Sequence, residues 1–430
     1  MAFQLLRAVT VDGAHSNVTL PQLVREAGLT GQDARLCAEL GYGALRTSGT
    51  LDEIIGCCSG RRPSSLGPDM LNLLRLGAHQ LLNSRVPPHL TMSTTADLAR
   101  RVTNDRGAIN FAGAVLHEVA TAGWNTWAMR MSPDRPGLAR ISLRCAHPEW
   151  IAAAYSQALS AAPDELEIAL RANDRWPDTD LVAWPGRIDR TELAAHAGGK
   201  SGRYSPYAVR LDGGDPFQID AVRDHRAGLQ DEGRQLGTIA TASAPLHGRD
   251  ERWLDLCAGP GASTTLLALI GAQRGARVTA VELRADRAAA VRQSTAGMGV
   301  EVLTGDARTI PSTVGGYDRV LVDAPCSGLG KLRSRPEARW TCRPCDIRPA
   351  AALQAELVAA ALRVVRPGGV VGYLACSPHP AETSAIVAGC DLIDARSAFP
   401  GVEQLGTGPT VRLWPHRHGT EAMFCALLRG

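Results

Sequence analysis

Apolar residues recur at spacings of three and four through ARLCAELGYGALR, LDEIIGCC, DMLNLLRLGAHQLL and TTADLARRV, with polar breaks between them. That period predicts a bundle of amphipathic helices from residue 1 to about 130, and the Pro-containing stretch Met131–Pro136 (MSPDRP) reads as a linker. The pattern is mixed from there to about residue 236: HPEWIAAAYSQAL and ELEIALRAN read as helices, DLVAWPGRI and YAVRLDGG as short strands. After Arg252 it changes again. WLDLCA, RVTAVEL, VEVLTGD, YDRVLVDAP and GGVVGYLAC are apolar runs of strand length, separated by helical segments such as RADRAAAVRQ and LQAELVAAALRVV, with VRLWP and AMFCALLRG as late strands. Strand and helix in alternation predict a doubly wound, mostly parallel α/β sheet with its site at the carboxyl ends of the strands. The expected domains are an all-helical 1–135, a small α/β connector 136–236 and an α/β domain 237–430.

Composition narrows the setting. A length of 430 residues exceeds one core, and 45% hydrophobic residues describe an ordered globular protein. No apolar run has the length of a membrane span and the start lacks the layout of a secretory signal, so a cytoplasmic location without a membrane partner is expected. The eleven cysteines are unevenly spaced and odd in number, which points to reduced thiols. Cys342 and Cys345 form a CxxC without a second pair, and His416 and His418 lack further ligands, so no metal is expected. The net charge of +3 does not demand nucleic acid; residues 1–135 hold 13 Arg against 11 acids, about +2. The lysines are Lys200 and Lys331 alone.

The chemistry sits at strand ends. Asp255-Leu256-Cys257-Ala258-Gly259-Pro260-Gly261 follows the first strand of the last domain and leads into a helix, which places glycines where backbone approaches a ligand closely. Glu282 closes the second strand, where an acid can accept ribose hydroxyls; Asp306 follows the third, placed for an adenine amine; Asp323 closes the fourth. A phosphate-binding loop would carry GKS or GKT after the first strand, and DLCAGPGAST has neither. An adenosine without phosphates fits, and S-adenosylmethionine is the expected cofactor. Cys326 in DAPCSG and Cys376 in ACS lie just past two strands at the same rim. Carbon 5 of cytosine is a poor nucleophile, so a thiolate must add to carbon 6 before carbon 5 can take a methyl group, and a second group must then remove the carbon 5 proton. Two thiols suit those two roles.

With WLDLCAGPG, YDRVLVDAPCSGLGKLRSRPEARW, RPGGVVGYLACSPHPAET, QDEGRQL and HRHGTEAMF, the chain resembles the RsmB/NOP2/Sun family of RNA 5-methylcytosine methyltransferases. Its helical start resembles the NusB-like domain of the bacterial 16S ribosomal RNA branch. The resemblance implies a Rossmann-like class I methyltransferase domain behind a NusB-like domain and the connector. It also implies Cys376 as nucleophile, Cys326 as the residue that assists elimination, and Glu282, Asp306 and Asp323 in contact with cofactor or base. Ribosomal RNA is then the expected partner.

The motifs depart from that pattern at the centre. Ala262 and Ser263 stand where the family has Gly-Lys, ACS replaces TCS, Arg234 stands where a small Ser is common, and FAGAVLHEVA replaces a basic helix ending. A family member recruited to a small aromatic substrate would also fit, for instance one methylating indole carbon 3 of a tryptophan-containing cyclic dipeptide. That carbon is already electron-rich and needs positioning rather than a thiol adduct. The arginines of LRSRPEARW suit a phosphate backbone or local acids, and Trp340 suits a core or a stacking platform. His379 and Glu382 in SPHPAET read as supports for the loop beside Cys376, or Ser377 and Glu382 as a helix cap.

Overall fold

The computed structural model describes residues 1–132, 137–160, 163–176, 178–311 and 316–430; the last four residues of the expected linker, 133–136, lie outside them. Contacts divide the chain into two units: Met1–Arg175 with Lys331–Arg343, and Trp176–Gly330 with Pro344–Gly430.

The first unit is helical: α1 (Ala2–Thr10), α2 (Ser16–Glu26), α3 (Gly31–Ser59), α4 (Pro68–Asn83), α5 (Pro88–Val102), α6 (Arg106–Val119), α7 (Trp124–Arg130), α8 (Gly137–Arg144), α9 (Glu149–Leu159) and α10 (Pro163–Ala172). The three-and-four spacing does what it predicts: Leu51, Ile54 and Ile55 of α3 meet Leu73 and Leu74 of α4 and Leu116 and Val119 of α6 in one core. Gly60, at φ 61°, stops α3 in the left-handed conformation that glycine adopts without strain. Helices α8 to α10, expected in the connector, group with this unit instead.

The segment 331–343 also belongs to it, although its neighbours in sequence belong to the other unit. Ser16 Oγ donates to Glu337 at 2.5 Å, Trp340 Nε1 donates to the Arg46 carbonyl at 2.9 Å, and Arg339 reaches Asp174 at 2.8 Å and the Ala146 carbonyl at 3.2 Å. Arg339 is wholly buried and Arg333 nearly so, while Arg335 turns to His15 and Glu337. The segment therefore serves internal contacts, and Trp340, half-buried, packs against α3 at Gly49.

The second unit begins with a small antiparallel sheet in the order β2-β3-β1-β4: β1 (Thr179–Ala183), β2 (Gly199–Ser201), β3 (Ala208–Leu211) and β4 (Ala227–Leu229), with α11 (Arg190–Ala197) and α12 (Asp220–Arg223). Helix α13 (Glu232–Ser243) leads into a large sheet of β5 (Arg252–Asp255), β6 (Arg277–Glu282), β7 (Glu301–Thr304), β8 (Tyr317–Asp323), β9 (Val365–Ala375), β10 (Leu392–Ile393), β11 (Val411–Leu413) and β12 (Met423–Arg429). Its order is β10-β12-β9-β8-β5-β6-β7, with β11 beside β12. The pairs from β7 through β9 are parallel, and β12 runs antiparallel to β9. Side chains alternate between its two faces. Trp253, Leu321, Val370 and Leu374 pack with α13 and α14 (Ala262–Ala272), and Leu254, Val320, Val322 and Tyr373 pack with α17 (Pro344–Val364). Three short helices complete the numbering: α15 (Ala285–Ser294), α16 (Ala338–Thr341) and α18 (Pro415–His418). Among the described residues no helix is long and apolar enough to cross a membrane.

Gly49 tests the packing of the inserted segment. A Cβ there would stand 2.2 Å from Trp340 Cε3. Gly49→Ala is expected to lower stability by about 1–3 kcal/mol through overpacking, read as a drop in the urea midpoint of unfolding.

Candidate active site

Strands β5 and β8 are parallel neighbours although β6 and β7 intervene in sequence, so the order in which strands are added reverses between them, the place where doubly wound sheets bind ligands at their carboxyl ends. Each expected site residue lies at a strand end or on a loop along that rim. Past β5, Gly259 and Gly261 have φ of 56° and 100°, values open to glycine. A Cβ on Gly261 would meet Ser294 Oγ at 2.4 Å, whereas one on Gly259 would meet nothing within 4 Å. The first glycine thus leaves open space and the second permits close helix packing. Pro260 between them is exposed, while Ala258 is buried and its N–H donates to Val281 at 3.0 Å.

Asp255 has no exposed surface. Its carboxylate accepts from Thr264 Oγ1 at 2.7 Å and from the Cys257 N–H at 3.3 Å, supporting the loop from beneath. Burial pushes its carboxyl up to about 7. Burial likewise raises the Cys257 thiol well above its ordinary range, with Asp255, Asp323, Glu282 and Asp306 adding to the effect. Glu282 accepts from the Gly259 N–H and the Arg284 N–H, both at 2.9 Å. The Asp306 carboxylate is clasped by Arg308 at 2.6 Å, which holds it below the usual carboxylate range. Acceptors at Glu282 and Asp306 beside an open glycine turn match the hydroxyls and amine of a nucleoside, and their charge disfavours phosphates.

The two cysteines come together because β8 and β9 are adjacent and parallel, with Asp323 opposite Leu374. Cys326 Sγ donates to the Cys376 carbonyl at 3.5 Å. Cys376 is 1% exposed and Cys326 is half-buried. Behind both lies Glu382, fully buried. Its carboxylate accepts from the Ser327 N–H at 2.7 Å, Ser327 Oγ at 2.5 Å, Ser377 Oγ at 2.6 Å and Gln354 Nε2 at 3.3 Å. Ser327 follows Cys326 and Ser377 follows Cys376, so one carboxylate sets both thiol loops. Gly330 closes the arrangement: its N–H donates to the Cys376 carbonyl at 2.9 Å, and a Cβ there would lie 2.0 Å from the Ala422 carbonyl oxygen.

Sequence reasoning had Glu382 only as a loop support or a helix cap, and it left Arg234 as a departure without a role. Asp231 caps α13, accepting from the Gly233 and Arg234 N–H groups at 2.9 and 3.3 Å, and its other oxygen accepts from the Glu421 N–H at 3.0 Å. Fully buried Glu232 accepts from the Tyr204 and Ser205 N–H groups at 2.6 and 2.9 Å, anchoring the helix start to the loop before β3. From this base Arg234 Nη2 donates to Cys376 Sγ at 3.1 Å, and its Nε lies 3.4 Å from Asp323. Asp323 beside it raises the guanidinium well above its already high value, so it stays charged. Glu421 Oε2 faces Cys376 Sγ from 3.5 Å. Ser263 is held by Gln230 Nε2 at 3.1 Å. The sequence signal for Arg234 was present in QDEGRQL as a charge where a small residue is usual.

Two family models match the chain: one described as 16S rRNA methyltransferase RsmB/F over residues 244–429, the other as the NusB family over residues 1–121. Protein Rv1407 of Mycobacterium tuberculosis (strain ATCC 25618 / H37Rv), named as a methyltransferase, is 47% identical over all of this chain and 95% of its own length. Ribosomal RNA small subunit methyltransferase B of Cronobacter sakazakii is 30% identical, over 95% of this chain and 92% of its own. Among solved structures, that of PH0851 superposes with a TM-score of 0.78 at 22% identity, covering 100% of this chain and 97% of that one. NSun6 from Pyrococcus horikoshii with SFG gives 0.55 at 18% identity over 66% of this chain and 98% of that one.

Two expectations follow from the geometry. Glu382→Gln puts an amide donor among donors, and is expected to cost about 1–3 kcal/mol of stability, read by urea unfolding, and to lower turnover as the thiol loops loosen. The folded chain keeps a proton on Asp255 that the unfolded chain releases near pH 4, so this group's stabilisation is complete below pH 4 and lost as pH rises through about 7. Urea unfolding between those limits should fall by at most about 1.4 kcal/mol per pH unit from this group, and Asp255→Asn should flatten that slope.

Proposed function

Because the chain belongs to the RsmB/F family of 16S rRNA methyltransferases and carries a NusB-family domain ahead of the catalytic one, we propose that it methylates carbon 5 of a cytosine in 16S ribosomal RNA. The enzyme is an S-adenosylmethionine-dependent methyltransferase with a Rossmann-like sheet. The observation that carries the finer reading is the pair of thiol loops at the ends of β8 and β9, held by the single buried Glu382 carboxylate.

In this reading Gly259 to Gly261 pass under the cofactor, Glu282 takes its ribose hydroxyls and Asp306 its adenine amine, with Arg308 giving way. Asp255, Cys257 and Ala258 shape the same turn. S-adenosylmethionine supplies a methyl group activated by its sulfonium. Cys376 adds to carbon 6 of the base and moves the C5–C6 electron pair onto carbon 5. Asp323 at the rim accepts from the base and orients it. After carbon 5 is methylated, Cys326, its own proton first released to solvent, takes the carbon 5 proton as the thiolate; the C–H pair re-forms the C5–C6 double bond and the carbon 6–sulfur bond breaks with its pair on Cys376. The rRNA methyltransferase names of relatives such as the Cronobacter sakazakii protein support RNA as substrate.

The test offers the enzyme labelled S-adenosylmethionine with either 16S ribosomal RNA or a panel of tryptophan-containing cyclic dipeptides. Label is expected on an RNA cytosine. Cys376→Ala is expected to lose transfer by at least about a thousandfold, and Cys326→Ala to accumulate a protein–RNA adduct visible on a denaturing gel. Label on the dipeptides, with transfer retained by Cys376→Ala, would replace this reading with the small-molecule one.

A further inference from the structure

The rim is acidic. Asp323, Glu282 and Asp306 lie along it with Asp255 beneath, and Glu421 Oε2 stands 3.5 Å from Cys376 Sγ, so a thiolate formed at Cys376 has a carboxylate beside it. A cation in contact with the sulfur changes that balance. Arg234 rises from the capped first turn of α13 and forks between Asp323 and Cys376 Sγ. A guanidinium suits this place because it remains charged beside a carboxylate and presents several donors in one plane. Nη2 serves the sulfur while the Nε edge faces the acid. Asp231 fixes both sides of the sulfur at once, since its two oxygens hold the backbone of Arg234 and of Glu421.

We propose that Arg234 is a catalytic residue that holds Cys376 as the attacking thiolate, while Glu421 takes the thiol proton. This rests on the reading of Cys376 as the nucleophile. The S–H proton passes to the Glu421 carboxylate, 3.5 Å away, and the sulfur keeps the electron pair, its charge compensated by the Nη2–H at 3.1 Å. That pair then forms the bond to carbon 6. When the bond breaks during elimination the pair returns to sulfur, Arg234 again meets the charge, and the proton comes back from Glu421. The sulfur is neither oxidised nor reduced. Asp323 has a second use in this arrangement: its charge holds the guanidinium in place.

The experiment reads thiolate absorbance near 240 nm against pH in the full-length enzyme without RNA, taking the Cys376 signal as the difference from Cys376→Ala. Arg234→Met is expected to raise the Cys376 midpoint by at least about one pH unit, a tenfold loss of thiolate at a given pH. Arg234→Gln, which keeps a donor without the charge, should give the same rise, so either variant that stays folded by circular dichroism decides the question. Arg234→Lys should restore most of the wild-type midpoint. Glu421→Gln removes an anion and should move the midpoint down, opposite to Arg234→Met. A folded Arg234 variant lacking the charge with an unmoved midpoint, or Arg234 and Glu421 variants moving it the same way, overturns the proposal. Because no RNA is present, that failure is separate from failure of the cytosine reading, which the adduct experiment decides.

Discussion

The site depends on one buried carboxylate. Glu382 accepts from both serines that follow the two cysteines, so the positions of Cys326 and Cys376 are not independent. A buried acceptor of this kind is held only while each donor stays in place, because an unmade bond to a buried charge is costly. Tyr373 adds to this by donating its hydroxyl to the Glu382 carbonyl at 2.7 Å from within β9 itself. The pairing of β8 with β9 brings the loops near each other, and the carboxylate converts nearness into a defined geometry. Preorganisation at this scale is what a two-thiol mechanism requires, since the group that attacks and the group that completes release must address the same ring.

The helical unit shows a related economy. Segment 331–343 leaves the α/β unit directly after Gly330, which touches the Cys376 carbonyl, and the described contacts of its arginines and Trp340 lie within the helical unit. Arg339 reaches Asp174, 165 residues away in sequence, and Ser16 reaches Glu337 across 321. Pairings of such separation leave no local pattern. A basic run in a loop reads as a surface for phosphate, and only the tertiary partner distinguishes that from an internal strut.

What the sequence did make legible follows from periodicity and from strand ends. The parallel strands were visible as apolar runs, and each acid closing or following a strand proved to stand on one rim, because parallel strands deliver all their carboxyl ends to the same side. The helical bundle was equally plain. The group membership of α8 to α10 was not, since helices look alike whichever core they join. The same limit hid Glu382: an acid after SPHPA has the sequence appearance of a cap, and its four donors come from three separate segments. Asp255 looked like a ligand contact and is instead a support under the turn, a distinction that burial alone makes.

Three cysteines share this rim, and their surroundings separate them more sharply than their positions. Cys257 is largely enclosed with carboxylates as its charged neighbours, so its proton is retained and it behaves as a small packing group. Cys326 is half-buried and donates to the Cys376 carbonyl. Cys376 accepts a hydrogen bond from the Arg234 guanidinium, and the same side chain answers to Asp323. In the proposed mechanism it is the charge on α13, more than the cysteine motifs themselves, that distinguishes the attacking thiol from the other cysteines at these strand ends.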